Sequence, residues 1–236
     1  FFQWIYFAKA PSFLDGLGVK HFRKSVGEKL AQYEPLRSQL TADYVVVPVP
    51  DTSIPAARAM ANALGIAWEE ALIKEGNIGR LFMDKQERRN MKIPLKFEYV
   101  KGEVEGKHLL LVDDSIIRGE TGLHIVQFVH ENLHPASVHL RSTCPPVYNP
   151  CYYGVDIASP RELIAHGYPD KHVLETMVAE RLHCDSAFYL PLDALLETFR
   201  EIGYDPNNLC TGCLTGKYPT PAANRNLQQL LTRSSS

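Results

Sequence analysis

The chain has 236 residues, 45 % of them apolar, which suffices for one sizeable α/β domain with at most a small appendage. Its 25 basic and 27 acidic side chains leave a net charge of -2, so nothing in the charge balance calls for a nucleic-acid partner or a membrane surface. No apolar run approaches the roughly 18 residues of a membrane helix, and five scattered cysteines do not make a secreted disulfide framework, so the expected compartment is the reducing cytoplasm.

The chain opens Phe1-Phe2-Gln3-Trp4-Ile5-Tyr6-Phe7, without Met, and reads as a fragment boundary with something upstream. The Trp4/Tyr6 alternation suggests a buried strand, and the absence of a basic leader argues against a signal peptide. Residues 15–32 read as a turn and an amphipathic helix, with Phe22, Val26 and Leu30 at four-residue spacing. The β-branched run Tyr44 to Pro50 predicts a fully buried strand of a parallel sheet. Asp51-Thr52-Ser53 then caps a helix to about Leu64, with Pro55 in its first turn. Residues 66–73 suggest another strand, and the polar stretch 74–95 a mobile loop leading into irregular structure.

A second buried strand, His108 to Val112, runs into Asp113-Asp114, followed by a helix over 121–132 and a strand over 137–142. Residues 160–166, 170–182 and 192–202 read as helices, and 221–236 as a disordered polar tail. The alternation of strand and helix predicts an α/β fold built on a doubly wound parallel sheet.

The segment richest in chemistry is Val112-Asp113-Asp114-Ser115-Ile116-Ile117-Arg118-Gly119-Glu120-Thr121-Gly122. Two carboxylates stand where a buried strand leaves the sheet, which is where ligands bind in open α/β sheets. A loop with two glycines follows and enters a helix N-terminus, whose amides and dipole favour an anion. Carboxylates beside a phosphate cradle suit a ligand carrying both hydroxyls and phosphate. Taken alone, Asp-Asp-Ser is more often a simple helix cap.

The whole string resembles the phosphoribosyl pyrophosphate (PRPP) motif of type I phosphoribosyltransferases, and most closely its form in the amidophosphoribosyltransferases. The resemblance extends to Gln3–Ala8, similar to that family's aromatic opening strand, and to Asp15-Gly16. It takes in Pro48-Val49-Pro50-Asp51-Thr52-Ser53, similar to the pyrophosphate loop, and Leu72-Ile73-Lys74 with Gly79-Arg80 of the flexible loop. It continues through Pro150 to Asp156, Glu162 to Ala165 and Thr215 to Thr220. It thus implies a type I phosphoribosyltransferase domain over 1–220, with a C-terminal cysteine-bearing extension at 203–220.

The implied reaction replaces pyrophosphate at ribose C1 by ammonia, giving 5-phosphoribosylamine at the first step of purine biosynthesis. By the same resemblance Asp113 and Asp114 bind the ribose hydroxyls and the Mg²⁺ shell, and Ser115, Ile116, Ile117, Arg118, Gly119, Glu120 and Thr121 hold the 5′-phosphate. Asp51, Thr52 and Ser53 face the leaving pyrophosphate with Thr52 near the metal, while Lys74 and Arg80 close over it. The family's glutaminase half has no counterpart in these residues and would come in cis or from another chain. A homo-oligomer is the family's usual state. The chain departs from the pattern at Glu75, Gly76, Asn77 and Leu81 of the flexible loop and at Glu120 and Gly122 of the phosphate loop. Those departures keep open a PRPP- or nucleotide-binding regulatory module as an alternative. A nucleobase phosphoribosyltransferase is the other, disfavoured by the C-terminal string.

Cys210-Thr211-Gly212-Cys213 fits redox, zinc or iron–sulfur use when read alone. In one branch of the resembling family these two positions and Cys151 bind a [4Fe-4S] cluster, and the fourth ligand would fall immediately before Phe1. Cys144 and Cys184 read as packed thiols, and His166 as a structural helix-end residue.

Overall fold

Five parallel strands form the central sheet of the computed structural model, which describes residues 1–74, 97–99 and 104–234. The strands are β3 (Tyr44–Pro48), β4 (Ala67–Trp68), β7 (His108–Asp113), β8 (Ser137–Ser142) and β9 (Ser186–Tyr189), in spatial order β4-β3-β7-β8-β9. Two small antiparallel pairs flank it, β1 (Phe13–Leu14) with β2 (Leu17–Gly18) and β5 (Leu72–Lys74) with β6 (Phe97–Tyr99). The doubly wound parallel sheet expected from the sequence is therefore present.

The strand side chains alternate between two cores, as a pleated strand buried on both faces must. Val46, Leu110, Val112 and Phe188 face helices α1 (Val19–Gln32), α2 (Ile54–Leu64) and α5 (Leu192–Glu201). Val45, Val47, Leu109, Leu111 and Leu140 face α3 (Glu120–Leu133) and α4 (Lys171–Leu182). Helices α1 and α2 touch backbone to backbone at Gly27, where an added Cβ would stand 2.0 Å from the Ala56 carbonyl oxygen.

A stripe of polar side chains crosses the α1 face of the sheet from the amino-terminal ends of β7 and β8. His108 Nδ1 meets Ser137 Oγ at 2.7 Å, Ser137 Oγ meets His139 Nε2 at 2.8 Å, and His139 Nδ1 meets Ser186 Oγ at 2.9 Å. Arg141 donates to Ser186 Oγ at 3.0 Å and, through Nε and Nη2, to both carboxylate oxygens of Glu34 at 2.8 Å. That ion pair is sealed from solvent, with side-chain exposures of 1 % and 0 %.

The structure corrects the sequence reading in several places. Gln3–Phe7 is a π-helical turn rather than a strand: Trp4 and Ile5 are buried as a pair and Tyr6 and Phe7 exposed as a pair, a grouping that the two-residue alternation of a strand does not give. Trp4 packs edge-on against Phe22, Phe199 and Tyr204. Residues 66–73 are two strands in different sheets, β4 and β5, separated by the exposed Glu70. Residues 160–166 hold only a 3₁₀ turn at Pro160–Glu162, closed by a capping box between Ser159 and Glu162. Beyond it Ile164 N–H bonds the Ile117 carbonyl instead of continuing a helix. The supposed disordered tail forms α7 (Pro221–Ser234), whose Ala223 and Leu227 bury against Tyr218 at four-residue spacing. Strand β9 was not foreseen, being only four residues long. Of the loop expected at 74–95, Lys74 is instead the last residue of β5, paired with Phe97, and 75–95, with Glu75, Gly76, Asn77, Gly79, Arg80 and Leu81, lie outside the described residues.

Candidate functional site

Strand β3 is followed by α2 on one face of the sheet and β7 by α3 on the other, and their chain directions around the sheet diverge between them. This is a topological switch point, where the loops leaving the carboxyl ends of neighbouring strands part and open a crevice. A cleft of about 940 Å³ sits there. Of the site residues expected from the sequence, Asp51, Thr52, Asp113, Asp114 and the whole run Ser115 to Thr121 line it.

Ser53 does not line it; it is buried and its hydroxyl donates back to the Val49 carbonyl, closing the turn that starts α2. Lys74 ends β5, in the small β5–β6 sheet, and Arg80 falls outside the described residues.

Asp113 is the last residue of β7, buried to 7 % exposure, and accepts the Asp114 amide at 2.8 Å. Asp114 is half-buried and accepts the Ser115 hydroxyl at 2.8 Å. The strand end is clamped from β8's side: Thr143 N–H donates to the Asp113 carbonyl at 3.0 Å and its hydroxyl to the Asp114 carbonyl at 3.1 Å. Burial pushes the Asp113 carboxyl well above its ordinary range, and the neighbouring Asp114 pushes it further, against the pull of the amide bond. Burial likewise lifts Asp114 to about 6, opposed by Ser115, Arg23 and Thr52, which favour its ionised form. Among the described residues neither carboxylate has an ion-pair partner. These two carboxylates with the hydroxyl of Thr52 form a hard-oxygen donor set, the kind that suits Mg²⁺ held by one or two carboxylates and completed by a ligand's phosphates.

The loop after the acidic pair is rigidly seated. Gly119 has φ +87°, a backbone conformation that calls for glycine, and Ile164 Cδ1 lies where a Cβ would stand. Tyr189 Oη donates to the Ile116 carbonyl at 3.4 Å. Arg118 is drawn aside, with Nη2 donating to Glu162 Oε2 at 2.7 Å and to the Asp156 carbonyl at 2.6 Å. Arg118 in turn holds the Glu162 carboxyl below its usual range. Helix α3 starts at once with Glu120, so its first-turn amides and positive dipole end open toward the cleft.

Residues outside the predicted set also line the cleft: Tyr6 and Phe7 from the π-helical turn, and Val155 to Ile157. Their signal in the sequence was aromatic side chains left over once the buried face of the first turn is counted.

Four of the five cysteines, Cys144, Cys151, Cys210 and Cys213, lie near the Phe1 amine, while Cys184 packs against the α3–α4 core. Phe1 N lies 3.5 Å from the Cys210 carbonyl, and Tyr148 and Asn149 amides both bond the Cys213 carbonyl. Burial raises the Cys213 thiol to about 12, and the nearby Cys151 and Cys210 add to it. Cys144 is buried, as expected of a packed thiol, and close enough to Cys213 to be influenced by it. Among the described residues no group of three or more His, Cys, Asp or Glu is arranged to hold a metal ion. None of the described helices is long and apolar enough to cross a membrane.

No protein-family model matches the chain. Among curated proteins it is 41 % identical over 221 residues to the amidophosphoribosyltransferase of Methanothermobacter thermautotrophicus, covering 93 % of this chain and 44 % of that protein. It is 40 % identical over 223 residues to the Bacillus subtilis amidophosphoribosyltransferase, covering 92 % and 44 %. Among solved structures it matches the B. subtilis glutamine PRPP amidotransferase complexed with ADP and GMP, with a TM-score of 0.74 and 37 % identity over 93 % of this chain and 46 % of that one. A structure described as the allosteric regulatory enzyme of purine biosynthesis gives a TM-score of 0.75 and 38 % identity over 93 % and 45 %. The chain spans less than half the length of these relatives.

Proposed function

We propose, from the premise that this chain is homologous to the amidophosphoribosyltransferases over nearly its whole length, that it binds PRPP and transfers the phosphoribosyl group to ammonia. The observation that carries the reading is the acidic pair Asp113–Asp114 at a switch-point cleft, without an ion-pair partner among the described residues and set beside a glycine-seated helix start.

In this reading the products are 5-phosphoribosylamine and pyrophosphate. As the C1–O bond to pyrophosphate breaks, ribose takes on oxocarbenium character and the ammonia lone pair forms the new C1–N bond. Such chemistry needs positioning and charge complementarity rather than a protein nucleophile. Asp113 and Asp114 accept the ribose hydroxyls and hold Mg²⁺ with Thr52; Mg²⁺ supplies charge neutralisation for the departing pyrophosphate. Ser115 to Thr121 and the first turn of α3 seat the 5′-phosphate, with Arg118 bracing the loop through Glu162 rather than reaching the ligand. Asp51 and Thr52 face the pyrophosphate.

By residue type Cys151, Cys210 and Cys213 would supply soft thiolate ligands to an iron–sulfur cluster, as the family resemblance implies. The cluster would tie 203–220 to the core. A homo-oligomer, a glutaminase supplied in cis or in trans, and a cytoplasmic setting complete the proposal.

The test is pyrophosphate release from PRPP with Mg²⁺ and high ammonium at alkaline pH. Ammonia-dependent release, lost in Asp113→Asn, is the expected result. PRPP binding without release would overturn the transferase reading in favour of a regulatory module.

A further inference from the structure

The π-helical turn at Gln3–Phe7 stops at Ala8, whose N–H closes on the Gln3 carbonyl, and no further helical turn follows to supply N–H donors to its last carbonyls. Arg23 of α1 takes three of them. Its Nε donates to the Trp4 carbonyl at 3.0 Å, and its Nη2 to the Tyr6 and Ala8 carbonyls at 3.3 and 2.8 Å. The guanidinium is buried to 5 % exposure, so these carbonyls replace the water it has given up. The planar fork is what allows one side chain to reach three acceptors on a curved backbone.

What the fork holds in place is one wall of the cleft. Trp4 and Ile5 are the anchors of the turn, and Tyr6 and Phe7 are its payload, half-exposed at 51 % and 47 % and lining the cleft that contains Asp113 and Asp114. Buried aromatic packing accounts for Trp4; it does not account for why the next two aromatics stay at a solvent-facing rim. A large apolar wall beside a cationic reaction centre keeps water from it, and water is the one competing nucleophile always present.

We infer that Arg23 is a positioning residue that fixes the Tyr6–Phe7 wall over the reacting carbon and so decides whether ammonia or water captures it. This rests on the transferase reading above. In both outcomes pyrophosphate leaves with the electrons of the broken C1–O bond. With ammonia the new bond is C1–N and a proton is released; with water it is C1–O and the sugar product is ribose 5-phosphate.

The experiment measures pyrophosphate release from PRPP and Mg²⁺ with and without ammonium for the full chain and for Arg23→Gln, Arg23→Lys and Tyr6→Ala. The ratio of ammonia-independent to ammonia-dependent release is the readout. A residue that merely holds the fold together would lower both rates in proportion and leave that ratio alone. Arg23→Gln is expected to raise it about tenfold, and Arg23→Lys, which keeps the charge but not the fork, by nearly as much. Tyr6→Ala, altering only an exposed side chain, should reproduce the rise with unchanged thermal unfolding, which covers the case of Arg23→Gln failing to fold. An active parent chain with unchanged ratios in Arg23→Lys and Tyr6→Ala overturns this inference and leaves the transferase reading standing. A parent chain with no ammonia-dependent release overturns that reading, and the inference with it.

Discussion

On the α1 face of the sheet buried charge is closed on itself; at the carboxyl end of β7 it is not. Arg141 and Glu34 meet in a two-bond pair with almost no exposure, and Arg141 continues through Ser186, His139 and Ser137 to His108. Arginine can only donate, so Ser186 accepts from Arg141, and each serine hydroxyl beyond it can match either tautomer of the histidine it meets. Asp113 is buried and Asp114 half-buried, yet neither has an ion-pair partner among the described residues, and both carboxyls are pushed upward by burial. Charge that is fully partnered belongs to the architecture. Charge held ready at the mouth of a cleft, at a cost to the free protein, belongs to a ligand.

Breaking the closed region has the largest effect. Glu34→Ala strands a guanidinium whose side chain is 1 % exposed, and urea unfolding should show a loss of about 3–5 kcal/mol. Acid attacks the same region more gently. Burial lowers His139 to about 4, assisted by Arg141 and His108 and opposed by Asp185 and Glu34. The unfolded chain therefore binds the extra proton first, and stability falls as pH drops from the ordinary histidine value near 6.5 through about 4. Solvent screening limits the loss to about 2 kcal/mol, visible as a pH-dependent midpoint that His139→Gln flattens.

The open region should respond with the opposite sign. Asp113→Asn keeps an oxygen for the Asp114 amide and removes a buried charge, so the ligand-free protein should gain about 1 kcal/mol in thermal unfolding while losing PRPP-dependent pyrophosphate release. The smallest effect is at Glu120. Its carboxylate sits at the favourable end of the α3 dipole, so Glu120→Thr should cost only about 0.3–1 kcal/mol of stability. The same change removes a negative charge from the phosphate cradle, and calorimetry should find PRPP bound more tightly.

The contrast between the regions also tracks what the sequence could disclose. The β-branched runs of β3 and β7 and the Asp113–Thr121 string are local signals, and each appears in the structure where it was expected. The Arg141–Glu34 pair joins residues 107 positions apart, and no local pattern announces it. The π-helical turn was misread because its period is neither that of a strand nor of an α-helix, and its support, Arg23, lies on another element. Helix α7 was misread because its polar composition hid the two residues, Ala223 and Leu227, that meet Tyr218.

The most direct test of the account is the calorimetric titration of this chain with PRPP, with and without Mg²⁺, beside Asp113→Asn. The account predicts Mg²⁺-dependent binding by the parent chain and its loss in the variant, because the uncompensated pair is what the cation and the ribose hydroxyls complete. Binding of equal strength by the variant, or binding indifferent to Mg²⁺, would contradict it and leave the acidic pair as a buried charge without a ligand.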